Sequence, residues 1–231
     1  TGEADITTAL SSDLAKRLDG VEGITPVAVF PYCQQYVVLN GKSELMQNRP
    51  LRQAIRTVAN IDDLIIASGE TTNKNPTMMY PGTAYYDAEI NAEWFNQADP
   101  EAAKALLAEA GYGGEEIVVQ TNTGYDYMRN SMIVFAEQLK EIGLNIKLEI
   151  LDWPTNAANI ASGEGGWHVT TTGFCSPALL GPQAWENVIY NRAHVQDNQV
   201  LDDAFATFFS SPKLEDRIAA WRTIEAEVLG G

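Results

Sequence analysis

The sequence predicts an α/β fold, and three observations between Asp99 and Trp153 carry the prediction. The first is a helix with its start and stop written locally. Asp99 can accept from free backbone N–H groups, and Pro100 suits the first helical position, where no N–H is missed. Ala103, Leu106, Leu107 and Ala110 then recur at helical spacing, and Gly111 ends the run. The second is a pair of strands, Ile117–Gln120 and Leu144–Ile150. In the latter, apolar Leu144, Ile146, Leu148 and Ile150 alternate with Asn145, Lys147 and Glu149. The third is the apolar stripe between them, Met132, Phe135, Ala136, Leu139 and Ile142, stopped by Gly143. Strand–helix–strand of this length is a βαβ crossover, which sets its two strands parallel in one sheet.

The rest of the chain supplies elements around this unit. A polar start is followed by a helix through Leu14 and Leu18 that Gly20 closes. Residues 25–40, rich in Val, Phe and Tyr but broken by Pro26 and Pro31, read as strand, bend, strand. Residues 41–48 read as a loop. Leu51–Ala59 reads as a helix, and Asn60 caps the next, with Asp62 and Asp63 in the first turn favoured by its dipole. Ser68–Phe95 holds Pro76, Pro81, Gly69, Gly82, Tyr80, Tyr85 and Tyr86 with little periodicity, which predicts an ordered loop hugging the surface. Beyond the central unit come a short helix at Thr155–Ala161, a strand at Trp167–Cys175, a tight turn at Ser176–Pro182 and a helix at Gln183–Tyr190. Asn198 caps a helix carrying Leu201, Phe205 and Phe208, and Ser211-Pro212 opens the last one, with the stripe Leu214, Ile218, Trp221, Glu225 and Val228.

Composition narrows the function. With 231 residues the chain can bury a substantial core, and no composition shift demands a second domain. Fifteen Lys and Arg against 31 Asp and Glu give a net charge of −16, a field that repels phosphate backbones and acidic lipid, so nucleic acid is not an expected partner. No apolar run reaches membrane-spanning length and none has a signal-peptide pattern. The start at Thr1 without Met and the end in Gly230-Gly231 after a helix suggest a segment of a longer protein. Cys33 and Cys175 are too few and too far apart for a zinc motif, and His168 and His194 have no ligand-spaced neighbours, so neither a metal nor another cofactor is expected. Walker A, G-x-G-x-x-G and G-x-S-x-G patterns are missing, and no nucleophile–base set assembles, which disfavours an enzyme.

The motifs, in order and spacing, resemble one family, the peptide/nickel-type (family 5) solute-binding proteins of bacterial ABC importers. Gly2–Ile6 (GEADI) is similar to the segment where that family's chain first crosses between lobes. Pro31-Tyr32-Cys33 through Leu39-Asn40 resembles its strand ending in Asn, and Arg49–Ile55 (RPLRQAI) its Arg-x-x-Arg-Gln-Ala-hydrophobic helix start. DPEAAKALLAEAGY and QLKEIGLNIKLEILDW resemble its most recognisable phrases. Trp167 and Gly173-Phe174-Cys175 resemble the strand and Gly-aromatic turn that follow.

The resemblance implies a type II periplasmic-binding-protein fold, in which a mixed sheet flanked by helices surrounds the central βαβ unit. Family members are about twice this length and close two lobes on a ligand. Residues 1–231 therefore resemble a single α/β lobe, the second one, with the first lobe of the same protein as its missing partner. The implied function is capture of a peptide, peptide-like or other small solute for an ABC permease, in a periplasmic or cell-surface setting. The alternatives are a ligand sensor signalling to a membrane receptor and, disfavoured, a small-molecule enzyme. The resemblance places Thr121, Asn122, Tyr125, Tyr127, Arg129, Trp153, Phe174 and Ser176 toward the ligand. It also implies a disulfide between Cys33 and Cys175. One departure is plain: where peptide-binding members carry an Asp for the peptide's α-amino group, this chain has Pro177 within FCSPALLG. Nickel finds no support in the histidines.

Overall fold

The computed structural model describes residues 5–6, 12–27, 33–69, 74–175 and 178–230. In chain order they form α1 (Ser12–Leu18), β1 (Cys33–Leu39), α2 (Glu44–Gln47), α3 (Arg49–Val58), α4 (Ile61–Ser68), α5 (Pro100–Ala110), β2 (Glu116–Asn122), α6 (Asp126–Glu141), β3 (Asn145–Leu151), α7 (Trp153–Ser162), β4 (Val169–Cys175), a 3-10 segment (Ala178–Gln183), α8 (Ala184–Asn191), α9 (Gln199–Ser210) and α10 (Leu214–Leu229).

Local side-chain chemistry fixes many of these boundaries. Asn48, Asn60, Asp99, Asp152 and Asn198 each accept a backbone N–H in the first turn of the following helix. Each such cap stabilises its helix by about 1 kcal/mol. Gly111 closes α5 at φ 65°, a left-handed geometry that glycine adopts without steric cost.

Several boundaries differ from the sequence reading, each for a local reason. Residues 41–48 contain α2, a single turn too short to show periodicity. The Asn48 cap starts α3 at Arg49 rather than Leu51. Asp152 caps α7 and Pro154 sits in its first turn, so that helix begins at Trp153 rather than at Thr155. Of the expected strand–bend–strand at 25–40, β1 is the strand described, and Pro31 and Tyr32 lie outside the described residues. Within Ser68–Phe95, Ser68 ends α4 and residues 74–95 form turns and bends without a helix or strand, with Met78, Met79 and Tyr80 buried rather than lying on the surface.

The sheet has four strands in the order β1-β4-β2-β3. β2 and β3 run parallel, as the βαβ reading required, β4 is parallel to β2, and β1 is antiparallel to β4 with Cys33 opposite Cys175. Alternation sorts the side chains into two cores. Ile117, Val119, Val169 and Leu39 face α3, α5 and α6, meeting Leu51, Ile55, Leu107, Phe135 and Leu139. Tyr36 and Phe174, on the other face, pack on Met78, Met79, Trp185, Phe205, Phe208 and Trp221. α7 lies on this second face, where Asn156 donates to Thr170 Oγ1 at 3.3 Å and Asn159 to Gln120 Oε1 at 3.1 Å.

Cys33 and Cys175 are joined in a disulfide at the end of the β1–β4 ladder. The histidines serve the scaffold. His168 Nδ1 accepts from the Val118 amide at 2.9 Å, and burial holds its pKa below the usual value. His194 Nε2 donates to the Ile160 carbonyl at 2.8 Å. In α10 the expected stripe holds at Trp221, Glu225 and Val228 and fails at its start. Leu214 is exposed, while Ala220, Trp221, Ile224 and Glu225 face the second core. Glu225 is fully buried and accepts from the Met78 amide at 2.6 Å. Among the described residues no helix is long and apolar enough to cross a membrane.

Candidate functional site

Topology marks one place on this sheet for a ligand. β2 leads through α6 to β3 on one side, and β3 leads through α7 back past β2 to β4 on the other. The winding reverses between β2 and β4, with α6 and α7 on opposite faces. In open α/β sheets ligands bind in the crevice outside the strands' carboxyl ends at such a reversal. Here that edge carries the loop Thr123–Tyr125 after β2, Asp152-Trp153 after β3, and Gly173-Phe174-Cys175 at the end of β4. Because β1 is antiparallel, its first residues, Cys33, Gln34 and Gln35, reach the same edge.

Three of the sequence-predicted residues come together. Tyr125 meets Trp153 edge-on, with ring centroids 5.1 Å apart and planes at 88°, and Tyr127 packs on Tyr125 at 5.8 Å. Trp153 is placed by the Asp152 cap, since residue and helix start are fixed together. Tyr125 keeps 40% of its surface exposed, so the shelf presents an aromatic face outward. Gly124 permits the approach: a Cβ there would lie 2.9 Å from the Cβ of Trp153, closer than carbon atoms pack. Tyr127 links the shelf to β4, because a Cβ on Gly173 would sit 3.7 Å from its hydroxyl.

The other predicted residues play different parts. Asn122 is fully buried, and its Oδ1 accepts from the amides of Gly124 and Tyr125 at 3.0 Å each. Its Nδ2 points to Met128 Sδ at 3.5 Å, so Asn122 shapes the loop and has no surface for a ligand. Thr121 is likewise buried. Arg129 is ion-paired with Asp126 at 2.8 Å on the first turn of α6. Phe174 turns to the opposite face of the sheet from Gly173 and packs on Trp185 at 4.7 Å, apart from the Tyr125 shelf. Ser176 and Pro177 lie outside the described residues.

The sequence reading does not single out Arg192, Tyr36 or Gln35 for this edge. Arg192 Nη1 donates to the Gly173 carbonyl at 3.4 Å, and its guanidinium carbon stands 5.9 Å from the Phe174 ring centre. Burial pushes the Tyr36 hydroxyl up to about 12, with Arg192 pulling the other way from nearby. Gln35 Nε2 donates to Ser131 Oγ at 2.8 Å and Thr171 Oγ1 at 3.2 Å, tying β1 to α6 and β4. A single Arg, Tyr or Gln carries no spacing signal, and only the fold brings these three to one edge. A crevice at the opposite edge, lined by Asn40, Lys42, Gly163, Trp167 and His168, is internally satisfied. Lys42 Nζ donates to the Ser162 carbonyl at 2.6 Å, and Asn40 Nδ2 to those of Gly163 and Trp167. Among the described residues no group of three or more His, Cys, Asp or Glu is placed to hold a metal ion.

Residues 1–180 match the model of the "Bacterial extracellular solute-binding proteins, family 5 Middle". The chain belongs to this family. Among family 5 relatives, a probable peptide ABC transporter periplasmic-binding protein of Sinorhizobium fredii is 36% identical over 104 residues, covering 43% of this chain and 20% of that protein. The glutathione-binding protein of Escherichia coli is 24% identical over 217 residues, covering 87% of this chain and 41% of that one. In three dimensions the murein tripeptide binding protein of Escherichia coli superposes with a TM-score of 0.78 at 18% identity, over 99% of this chain and 46% of the other. The mixed α/β fold is thus the family's, and the chain spans less than half the length of each of these relatives.

Proposed function

We propose that this chain is one lobe of a two-lobed extracytoplasmic solute-binding protein that delivers a peptide or peptide-like solute to an ABC permease. The observation that carries the proposal is the aromatic shelf of Tyr125, Tyr127 and Trp153 at the carboxyl ends of β2 and β3, beside the winding reversal. Tyr and Trp offer rigid area with a polar edge, which suits a site that must hold and release a solute. The names of the relatives agree: each of the three is named for a peptide or for glutathione. They are binding proteins, which is why we read this chain as a binder and not an enzyme.

In this reading the shelf is one wall of a cleft, and the rest of the protein supplies the other. The whole of residues 1–231 acts as a single lobe in the periplasm or at the cell surface. Ligand contacts shared between both walls drive closure, because only contacts made better in the closed state shift that equilibrium. The closed form is what the permease meets.

Thermal denaturation of the full-length protein against trialanine, glutathione and mannohexaose tests the reading. A binder present at 100 times its Kd stabilises by about 2.7 kcal/mol, a readily measured rise in Tm. A rise with the peptides is expected; chemical turnover of a bound compound would overturn the proposal. The 231-residue lobe keeps one wall only, so calorimetry on it should give weak or undetectable heat, and tight binding there would contradict the two-wall cleft.

A further inference from the structure

We propose that Arg192 is an anion-binding residue of the cleft edge and receives a carboxylate of the ligand. This rests on the reading above that the carboxyl edge of the sheet is the ligand cleft. Arg192 follows α8 and is half-buried, with its guanidinium beside Gly173 and Phe174 at the end of β4. No carboxylate lies within ion-pair distance of it among the described residues, although the chain carries 31 acidic side chains against 15 basic ones. Arg129, the other arginine near this edge, is already neutralised by Asp126.

A guanidinium has five N–H donors in a rigid fork, and the Gly173 carbonyl engages one nitrogen at the long distance of 3.4 Å. Taking such a cation partly out of water without a counter-charge is costly, and a carboxylate that meets the fork with two parallel hydrogen bonds reverses that cost. The Phe174 ring, with its centre 5.9 Å from the guanidinium carbon, attracts the cation without consuming a donor. The Tyr36 hydroxyl is buried beside Arg192, burial raising its pKa and the charge of Arg192 opposing that rise, and it adds a second polar group to the same spot. The sequence FCSPALLG contains no acid, so that stretch offers no carboxylate to pair with Arg192 or with an ammonium group. The charge that Arg192 would recognise is the acid end of a ligand.

The test uses the full-length protein and two probes, N-acetyl-trialanine and its C-terminal amide, titrated by calorimetry. Wild type is expected to bind the acid at least tenfold more tightly than the amide. Arg192→Gln should abolish that preference, and Arg192→Lys, which keeps the charge but not the fork, should retain part of it. Equal affinity of wild type for both probes overturns the assignment. If neither probe binds, the peptide reading fails, and the anchor is judged separately by NMR. The Arg192 Nε–Hε signal, assigned by its loss in Arg192→Lys, should move on titration with sodium acetate and not with sodium chloride at equal ionic strength. No movement with acetate overturns the anchor.

Discussion

Replacing Glu225 by glutamine should remove a pH dependence of stability that the wild-type protein carries. The carboxyl of Glu225 is fully buried in the second core, and burial raises its pKa from 4.5 to about 7. The Met78 amide and the Trp221 indole favour the charged form, and Asp87, itself paired with Arg222 at 2.8 Å, opposes it. The folded-state pKa thus lies above the unfolded one. Between pH 4.5 and 7 the native state holds a proton that the unfolded chain has lost, so stability falls as pH rises through this window and then levels. At about 1.4 kcal/mol for each tenfold change in proton affinity, the loss amounts to about 3 kcal/mol. Glutamine keeps an oxygen for the Met78 amide and does not ionise. Urea unfolding of both proteins at intervals from pH 4.5 to 8 measures the difference, in which every other titrating group largely cancels. Glu225→Gln should gain about 3 kcal/mol on wild type between the two ends of that range. Parallel stability curves would refute the reasoning.

Other substitutions probe the edge and its support. Changing Cys33 and Cys175 to serine opens a loop of 142 residues and should lower stability by up to about 4–5 kcal/mol in the chain-entropy model, read as the denaturation midpoint of the oxidised protein against the variant. Asn122→Ala removes the acceptor for two loop amides and should cost about 1–3 kcal/mol, with thermal unfolding as the check. An unchanged melting temperature would return Asn122 to the ligand side. Gly124→Ala forces a Cβ against Trp153 and should change the fluorescence and weaken binding by the full-length protein more than it lowers Tm. Arg129→Ala should shift stability by less than about 1 kcal/mol, since its pair with Asp126 is solvent-screened.

The parts of the fold legible in the sequence are those specified within a few residues. Asp99, Pro100 and Gly111 bracket α5 as read, and the alternation of β3 makes the parallel pairing with β2 a consequence of chain connectivity. Trp153 shows the limit of local reading. Asp-Trp-Pro is a helix start, yet the preceding strand makes the tryptophan look like its end. Asn122 misleads for another reason. A polar residue closing a strand suits a ligand or a loop clasp equally, and only the Gly124 and Tyr125 amides decide it. Phe174 is close in sequence to the other residues of its edge, but the pleat turns it to the far face and onto Trp185. Glu225 occupies an apolar stripe because a distant amide, that of Met78, meets it there.

The staple between Cys33 and Cys175 also has a mechanical consequence. A pull arriving along the chain ahead of Cys33 meets β1 at its first residue, where hydrogen bonds alone would open in succession, like a zip. The covalent link sits at that same point and passes the load straight into β4, bypassing the ladder. Gln35 of β1, bonded to Thr171 of β4 and to Ser131 of α6, joins both strands to the helix that begins beside the aromatic shelf. A tug on this corner is therefore carried by a covalent bond into β4 before any bond of the ladder has to open.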